Sequence, residues 1–249
     1  ATEATRRASN GNRLVAAIAR EAGLKVRILS GREEAYYAAL GVISGFYRPR
    51  GLVGDFGGGS LEIAAARDDR VGERSVSMPI GSLPVKAMME RSTSEARAEI
   101  DALLAERLPS ALAQPVFYAV GGGWRALAHI HMARVGAPVS VAHGYAVEAN
   151  ALRAFAKRLW HRPTAKLAAL PGVPLRRLPT LPAAALVMDR VLKRLAPERV
   201  VFSALGVREG WLYDQLPAAE RYLDPLLEGA QAFGLPQARV PEFAPALVR

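Results

Sequence analysis

Asp55-Phe56-Gly57-Gly58-Gly59-Ser60-Leu61-Glu62 is the stretch whose reading decides the fold. The apolar run Gly51-Leu52-Val53-Gly54 leads into it, and Ile63-Ala64-Ala65-Ala66 leads away. The pattern predicts a strand, a tight turn and a second strand. Three successive glycines lack Cβ atoms and permit φ > 0, so the N–H groups of the turn can converge on an anion. A simple hairpin needs only two turn residues. Ser60 adds a hydroxyl. Asp55 and Glu62 bracket the turn with one carboxylate each, which suits a divalent cation or a water beside a bound phosphate. The plainer account is an ordinary hairpin with surface acids at its strand ends.

Upstream, residues 1–22 read as helical with a break at Asn10-Gly11, ending at Gly23. Residues 25–30 alternate basic and apolar and suit a short strand. Ser30 and Glu33 have capping-box spacing, so a helix is expected from there to about Gly45. Downstream, residues 70–79 read as a third strand of a meander and 81–84 as a turn. A helix over 94–108, an apolar strand over 115–120 and a helix over 126–134 follow. Residues 138–142 suit another short strand. A basic amphipathic helix is expected over 147–159, then an aperiodic Pro- and Leu-rich stretch, a helix over 182–195 and a strand over 199–203. Antiparallel strands followed by alternating strands and helices give an α/β architecture with a mixed sheet.

The chain has 249 residues, 51% hydrophobic and 22% charged, enough for a large core. Lys and Arg number 33 against 23 Asp and Glu, for a net charge of +10. Such an excess attracts polyanions, although a basic surface also serves solubility. There is no cysteine, which excludes disulfides and Cys-ligated metals and fits a reducing, cytoplasmic setting. No apolar run approaches the roughly 18 to 20 residues that span a bilayer, so no membrane partner is expected.

Three stretches stand in order: Ser30-Gly31-Arg32-Glu33-Glu34-Ala35, the Asp55 to Glu62 turn, and Gly121-Gly122-Gly123-Trp124-Arg125-Ala126-Leu127-Ala128. Together they resemble the exopolyphosphatase/guanosine pentaphosphate phosphohydrolase family. Ala1-Thr2-Glu3-Ala4-Thr5-Arg6-Arg7-Ala8-Ser9-Asn10 is similar to the family's segment before the catalytic helix. Ser203-Ala204-Leu205-Gly206-Val207-Arg208-Glu209-Gly210 is similar to its last strand–helix turn. The resemblance covers residues 1–216. It implies an actin-like (ribonuclease H-like) α/β fold of two lobes, shared with sugar kinases and heat-shock chaperone ATPases. It also implies Mg²⁺-dependent removal of the terminal phosphate of inorganic polyphosphate, or of the 5′ phosphate of pppGpp. The family's earlier Asp-x-Gly-Ser-Asn phosphate loop is not found here. The expected division is therefore 1–50 as the remainder of the first lobe, 51–216 as the second lobe and 217–249 as the start of a helical extension, with the isolated chain expected to be inactive. Phe56, Leu61 and Tyr36 stand where the family usually has Ile, Thr and Arg.

By this resemblance Glu34 is the catalytic candidate, orienting and deprotonating the attacking water. Its plainer account is a first-turn carboxylate that complements the helix dipole; Glu33 is assigned to capping. Gly57, Gly58, Gly59, Ser60, Arg6, Gly121, Gly122 and Gly123 are the phosphate-binding candidates. Asp55 and Glu62 are the Mg²⁺ candidates. Arg153, Lys157 and Arg158 are read as an extension of the anion track, with solvated surface charge as the alternative. Asp55-Phe56-Gly57 also spells a protein kinase tripeptide, but the other kinase motifs are missing. Gly121-x-Gly123-x-x-Ala126 fits a loose dinucleotide fingerprint, but the expected acid after the next strand is missing. An exopolyphosphatase is the first reading. A pppGpp phosphohydrolase, a non-catalytic polyphosphate or alarmone sensor and an actin-like kinase are kept beside it. No nucleic-acid partner is expected, and a homodimer is allowed for.

Overall fold

The computed structural model describes residues 1–109, 112–237 and 239–240. Two helices, α1 (Glu3–Arg7) and α2 (Gly11–Ala22), open the chain, and α3 (Gly31–Ile43) follows. The break between α1 and α2 lies at Asn10-Gly11, and Gly23 closes α2 with φ 64°. Ser30 caps α3 in a full capping box with Glu33. The ionised Glu33 carboxylate accepts from the Ser30 N–H and is paired with Arg27, which holds its pKa at about 2. Residues 25–30 do not form the expected strand. Their described partner is the first residue: the Ala1 ammonium donates to the Arg27 carbonyl and the Leu29 N–H to Ala1. Two such bonds make no ladder.

The sheet is built from β1 (Arg50–Phe56), β2 (Leu61–Arg67), β3 (Arg70–Met78), β4 (Val116–Val120), β5 (Ala146–Glu148) and β6 (Arg199–Phe202), in the order β3-β2-β1-β4-β6-β5. The β1–β2–β3 meander is antiparallel, β1, β4 and β6 run parallel, and β5 returns antiparallel to β6. Successive strand side chains point to opposite faces. Leu52 and Phe117 enter one hydrophobic core; Val53 and Tyr118 enter another on the opposite side. The larger core lies under α4 (Ser82–Arg91), α5 (Thr93–Arg107), α6 (Gly122–Val135), α7 (Ala149–Trp160) and α9 (Leu181–Leu195). The smaller lies under α3.

Three further helices are short or peripheral: α8 (Thr164–Ala168), α10 (Val207–Asp214), which packs on α3, and α11 (Ala218–Arg221). The exposed α12 (Pro225–Gly234) follows. Residues 81–84, expected as a turn, instead begin α4. Pro84 sits in its first turn, where a missing N–H breaks no intrahelical bond. The strand expected over 138–142 lies later, at β5, where the Gly144 N–H donates to Phe202 and the Phe202 N–H to Tyr145. The helix expected from Ala126 begins at Gly122.

Candidate active site

Two glycine turns leave the same edge of the sheet, after the parallel neighbours β1 and β4. Asp55 and Val120 are register partners at that edge. Ligands of α/β sheets collect at the carboxyl ends of parallel strands.

The first turn, Gly57 to Ser60, closes with the Gly57 N–H donating to the Ser60 carbonyl over 3.0 Å. Its remaining carbonyls are held from behind by the first turn of α4. The N–H groups of Gly81, Ser82 and Leu83 donate to Gly59, Gly57 and Gly58 over 3.2, 3.0 and 2.9 Å. With the carbonyls fastened there, the N–H groups of Gly58, Gly59 and Ser60 donate to no described protein acceptor. Unpaired N–H groups converging at a turn form an anion-binding concavity.

The second turn begins at Gly121, whose φ is 106°. A Cβ there would meet the Phe56 carbonyl oxygen at 2.3 Å and Asp55 Oδ1 at 3.2 Å, so this backbone lies flush on the end of β1. Gly122 and Gly123 are the first helical residues of α6, where N–H groups lack intrahelical partners. Trp124 pins this end down. It is fully buried, stacks on Phe56 at 5.2 Å, and donates its indole N–H to the Ala184 carbonyl.

The acids converge on the first turn from three elements. Asp55 and Glu62 are directly opposed across the β1–β2 pair, so they share a face. Glu62 is 2% exposed and accepts from the Ser77 hydroxyl at 2.8 Å. Burial, with further repulsion from Glu34 and Asp55, pushes its pKa up to about 8 despite the bonds from Ser60 and Ser77. Asp55 is partly buried; desolvation and the Glu34 charge push it up to about 6, against the pull of Arg125. Glu34 is buried one turn into α3. The start of that helix is seated on β3, since a Cβ on Gly31 would lie 2.5 Å from Ser77. Burial raises the pKa of Glu34, while the Arg6 guanidinium, donating to Oε1 at 2.6 Å, opposes the rise.

Arg6 therefore stands among carboxylates. It also donates to Glu3 and to the Leu29 carbonyl. Whatever anion it meets must share it with Glu34. Glu3 was not singled out by the sequence reading. Its side chain packs on the glycine turn, where a Cβ on Gly59 would come within 2.4 Å of Glu3 Cγ. The ten-residue motif around Arg6 was the available signal, but helical position alone does not show which side chain reaches a loop more than fifty positions away.

Two arginines complete the edge. Arg125 is partly buried and donates to the Ala204 carbonyl at 3.0 Å; burial lowers its pKa while Asp55 and Glu209 support its charge. Arg177, from the 3-10 segment Leu175–Thr180, lies with its guanidinium against Gly122. Arg177 was missed because its neighbours are Pro- and Leu-rich without a period. Arg153, by contrast, leaves the expected anion track: it turns onto buried Asp189 at 3.0 Å.

Among the described residues, no group of three or more His, Asp or Glu side chains is arranged to hold a metal ion. The available hard donors are the two carboxylates of Asp55 and Glu62. Mg²⁺ takes one or two carboxylates and keeps several waters, so this donor set fits it. Burial, with repulsion from Glu34, raises both pKa values, and a cation beside the two carboxylates would favour their ionised forms.

The sequence profile of the Ppx/GppA phosphatase family matches residues 1–219. The chain belongs to that family. Exopolyphosphatase 1 of Mycobacterium tuberculosis is 30% identical over 232 residues, which cover 87% of this chain and 66% of that protein. Retrograde regulation protein 2 of Saccharomyces cerevisiae is 29% identical over 290 residues, 99% of this chain and 49% of that protein. The chain thus spans about half of the yeast relative and just under two thirds of the mycobacterial one. The Ppx/GppA enzyme of Aquifex aeolicus superposes with a TM-score of 0.69 at 24% identity, over 85% of this chain and 72% of that one. An exopolyphosphatase from Cytophaga hutchinsonii gives 0.72 at 20%, over 85% and 72%. The mixed six-stranded sheet with helices on both faces is the Ppx/GppA actin-like fold that the motifs implied. Among the described residues, no helix is long and apolar enough to cross a membrane.

Proposed function

We propose that this Ppx/GppA chain carries the catalytic edge of an exopolyphosphatase, which hydrolyses the terminal phosphoanhydride of inorganic polyphosphate. The observation that carries the reading is the facing of two glycine turns across Asp55, with Glu34, held by Arg6, beside them. The N–H groups of Gly58, Gly59 and Ser60 receive the terminal phosphoryl oxygens. Those of Gly122 and Gly123, with Arg177 and Arg125, meet the phosphate that leaves. Glu34 in its ionised form accepts a proton from water as the water oxygen bonds to phosphorus and the bridging P–O bond breaks. Arg6 favours the ionised form of Glu34 against the effect of burial and aims it. Asp55 and Glu62 would hold Mg²⁺, which would neutralise charge on the phosphate oxygens. The lobe division expected at 1–50, 51–216 and 217–249 is retained as a proposal, with α3 shared between the first segment and the sheet of the second.

Colorimetric phosphate release from long-chain polyphosphate with Mg²⁺, by the protein that carries this chain, tests the reading. Glu34→Gln is expected to lower turnover by roughly 10²–10⁴-fold. Wild-type turnover in the Gln variant would sink the assignment. The yeast relative, matched over nearly the whole chain and named for regulation, motivates a second reading: binding of polyphosphate or pppGpp as a sensor. Tight binding by wild type with no phosphate released would select that reading. Faster release from pppGpp than from polyphosphate would select the alarmone as substrate.

A further inference from the structure

Residues 149–188 contain no Asp or Glu, yet they carry Arg153, Lys157, Arg158, Arg162, Lys166, Arg176 and Arg177. The fold separates these cations. Arg153 is spent on Asp189, and Arg177 lies at the candidate site. Lys157, Arg158, Arg162 and Lys166 gather with His161 around one shallow groove between α7 and α8. All five are exposed, and none pairs with a carboxylate among the described residues. Arg158 and Arg162 also rim an adjoining hollow of about 500 Å³, floored by Ile130, Phe155 and Leu170 and flanked by Arg134 over the Phe155 ring.

This face is remote from the glycine turns. Gly122 stands at the site and Arg134 lies twelve residues further along α6, about 18 Å away at 1.5 Å per residue. Unneutralised like charges in one groove repel, and they focus a field that draws anions. The lining favours one kind of anion. The ring that lines the groove is that of His161, and it is already stacked on buried Trp160 at 3.6 Å. Among the described residues, no Trp, Tyr or Phe lines the groove to receive a base, whereas binding of single-stranded nucleic acid relies on such platforms. A bare phosphate chain needs only the cations.

We propose that the α6–α7–α8 face is a second binding site for linear inorganic polyphosphate. It holds a distant part of the chain whose end lies at the glycine turns. The ligand class rests on the exopolyphosphatase reading; the existence of an anion site on this face does not. Tethering at a second site raises the local concentration of the chain end, so affinity rises for chains long enough to reach both sites.

The test uses Arg158→Glu, Arg162→Glu and Lys166→Glu together, with the corresponding triple Gln variant in case reversal harms folding. Long-chain polyphosphate binding is measured by titration in the Glu34→Gln background, so that nothing is turned over. Phosphate release from tripolyphosphate and from long chains is measured in the active background. The reversal is expected to weaken long-chain binding by roughly tenfold or more, the Gln variant by less, with tripolyphosphate turnover unchanged. Unaltered long-chain affinity in both variants overturns the proposal. So does an oligonucleotide of matched charge that binds this face as tightly as polyphosphate. If wild type releases no phosphate from any chain but loses binding on reversal, the exopolyphosphatase reading fails and the second site stands.

Discussion

At the scale of single residues, the candidate site gathers carboxyl groups whose ionisation burial opposes. Glu62 shows this most directly. Its ordinary pKa of 4.5 is pushed up to about 8 by burial, so the folded chain keeps a proton that the unfolded chain has released. A state that binds more protons loses relative stability as pH rises. Metal-free stability should therefore fall between about pH 4.5 and pH 8, with Asp55 adding to the fall between 3.8 and about 6. Glu62→Gln keeps an acceptor for Ser77 and removes the titration. We expect it to stabilise the metal-free chain at pH 9 by an amount on the order of a few kcal/mol and to make little difference at pH 4. Urea denaturation in chelator at the two pH values measures this. Equal destabilisation at both would mean that Glu62 is held as an anion throughout. The motif reading named Asp55 and Glu62 from their positions around the glycines. It could not see that one is buried against Ser77 and the other only partly buried, because that depends on α3 and β3 closing over the turn.

At the scale of elements, the glycine hairpin was legible because its strands alternate between two cores and three successive glycines mark its turn, although only a Cβ on Gly59 would crowd a neighbour, Glu3, while Gly57 and Gly58 would carry one at ordinary contact distance. The capping box of α3 was legible for the same local reason. What escaped were features set by partners distant in sequence. α4 was hidden by Pro84, and its real task is to anchor the glycine turn by three N–H donors. Arg177 was hidden in an aperiodic stretch. The seat of α3 on α10 was also hidden, and it bears on Glu34. A Cβ on Gly210 would lie 1.8 Å from the Tyr37 carbonyl oxygen, and one on Gly41 would lie 2.2 Å from the Gly206 carbonyl oxygen. The two helices meet backbone to backbone, so no side-chain movement can make room. Gly210→Ala should force α3 outward. Overpacking of this kind costs about 1–3 kcal/mol, and here it also displaces Glu34, three residues before Tyr37. The expected result is a lower melting temperature together with reduced kcat. Unchanged turnover in a destabilised variant would show that the site tolerates movement of α3.

At the scale of the whole molecule, the net charge of +10 by itself is ambiguous, because any polyanion is drawn to a basic protein. Its distribution is more informative. One cluster of arginines stands at the glycine turns and another on the α6–α7–α8 face, separated by the length of α6. A polyelectrolyte that engages both displaces more counterions than one that engages the first alone, and the salt dependence of binding counts the contacts. Apparent affinity for long-chain polyphosphate should fall more steeply with salt than affinity for tripolyphosphate. The difference between the slopes should disappear when Arg158, Arg162 and Lys166 are reversed. Net charge is a confounder, since three reversals change +10 to 10 − 6 = +4. Reversing Arg74, Arg91 and Arg97 instead gives the same +4 on exposed positions of β3, α4 and α5. If the second variant keeps the steep long-chain slope and the first loses it, the effect belongs to the groove. If both lose it equally, the long chain is held only by the diffuse field of a basic molecule, and the second site is an accident of composition.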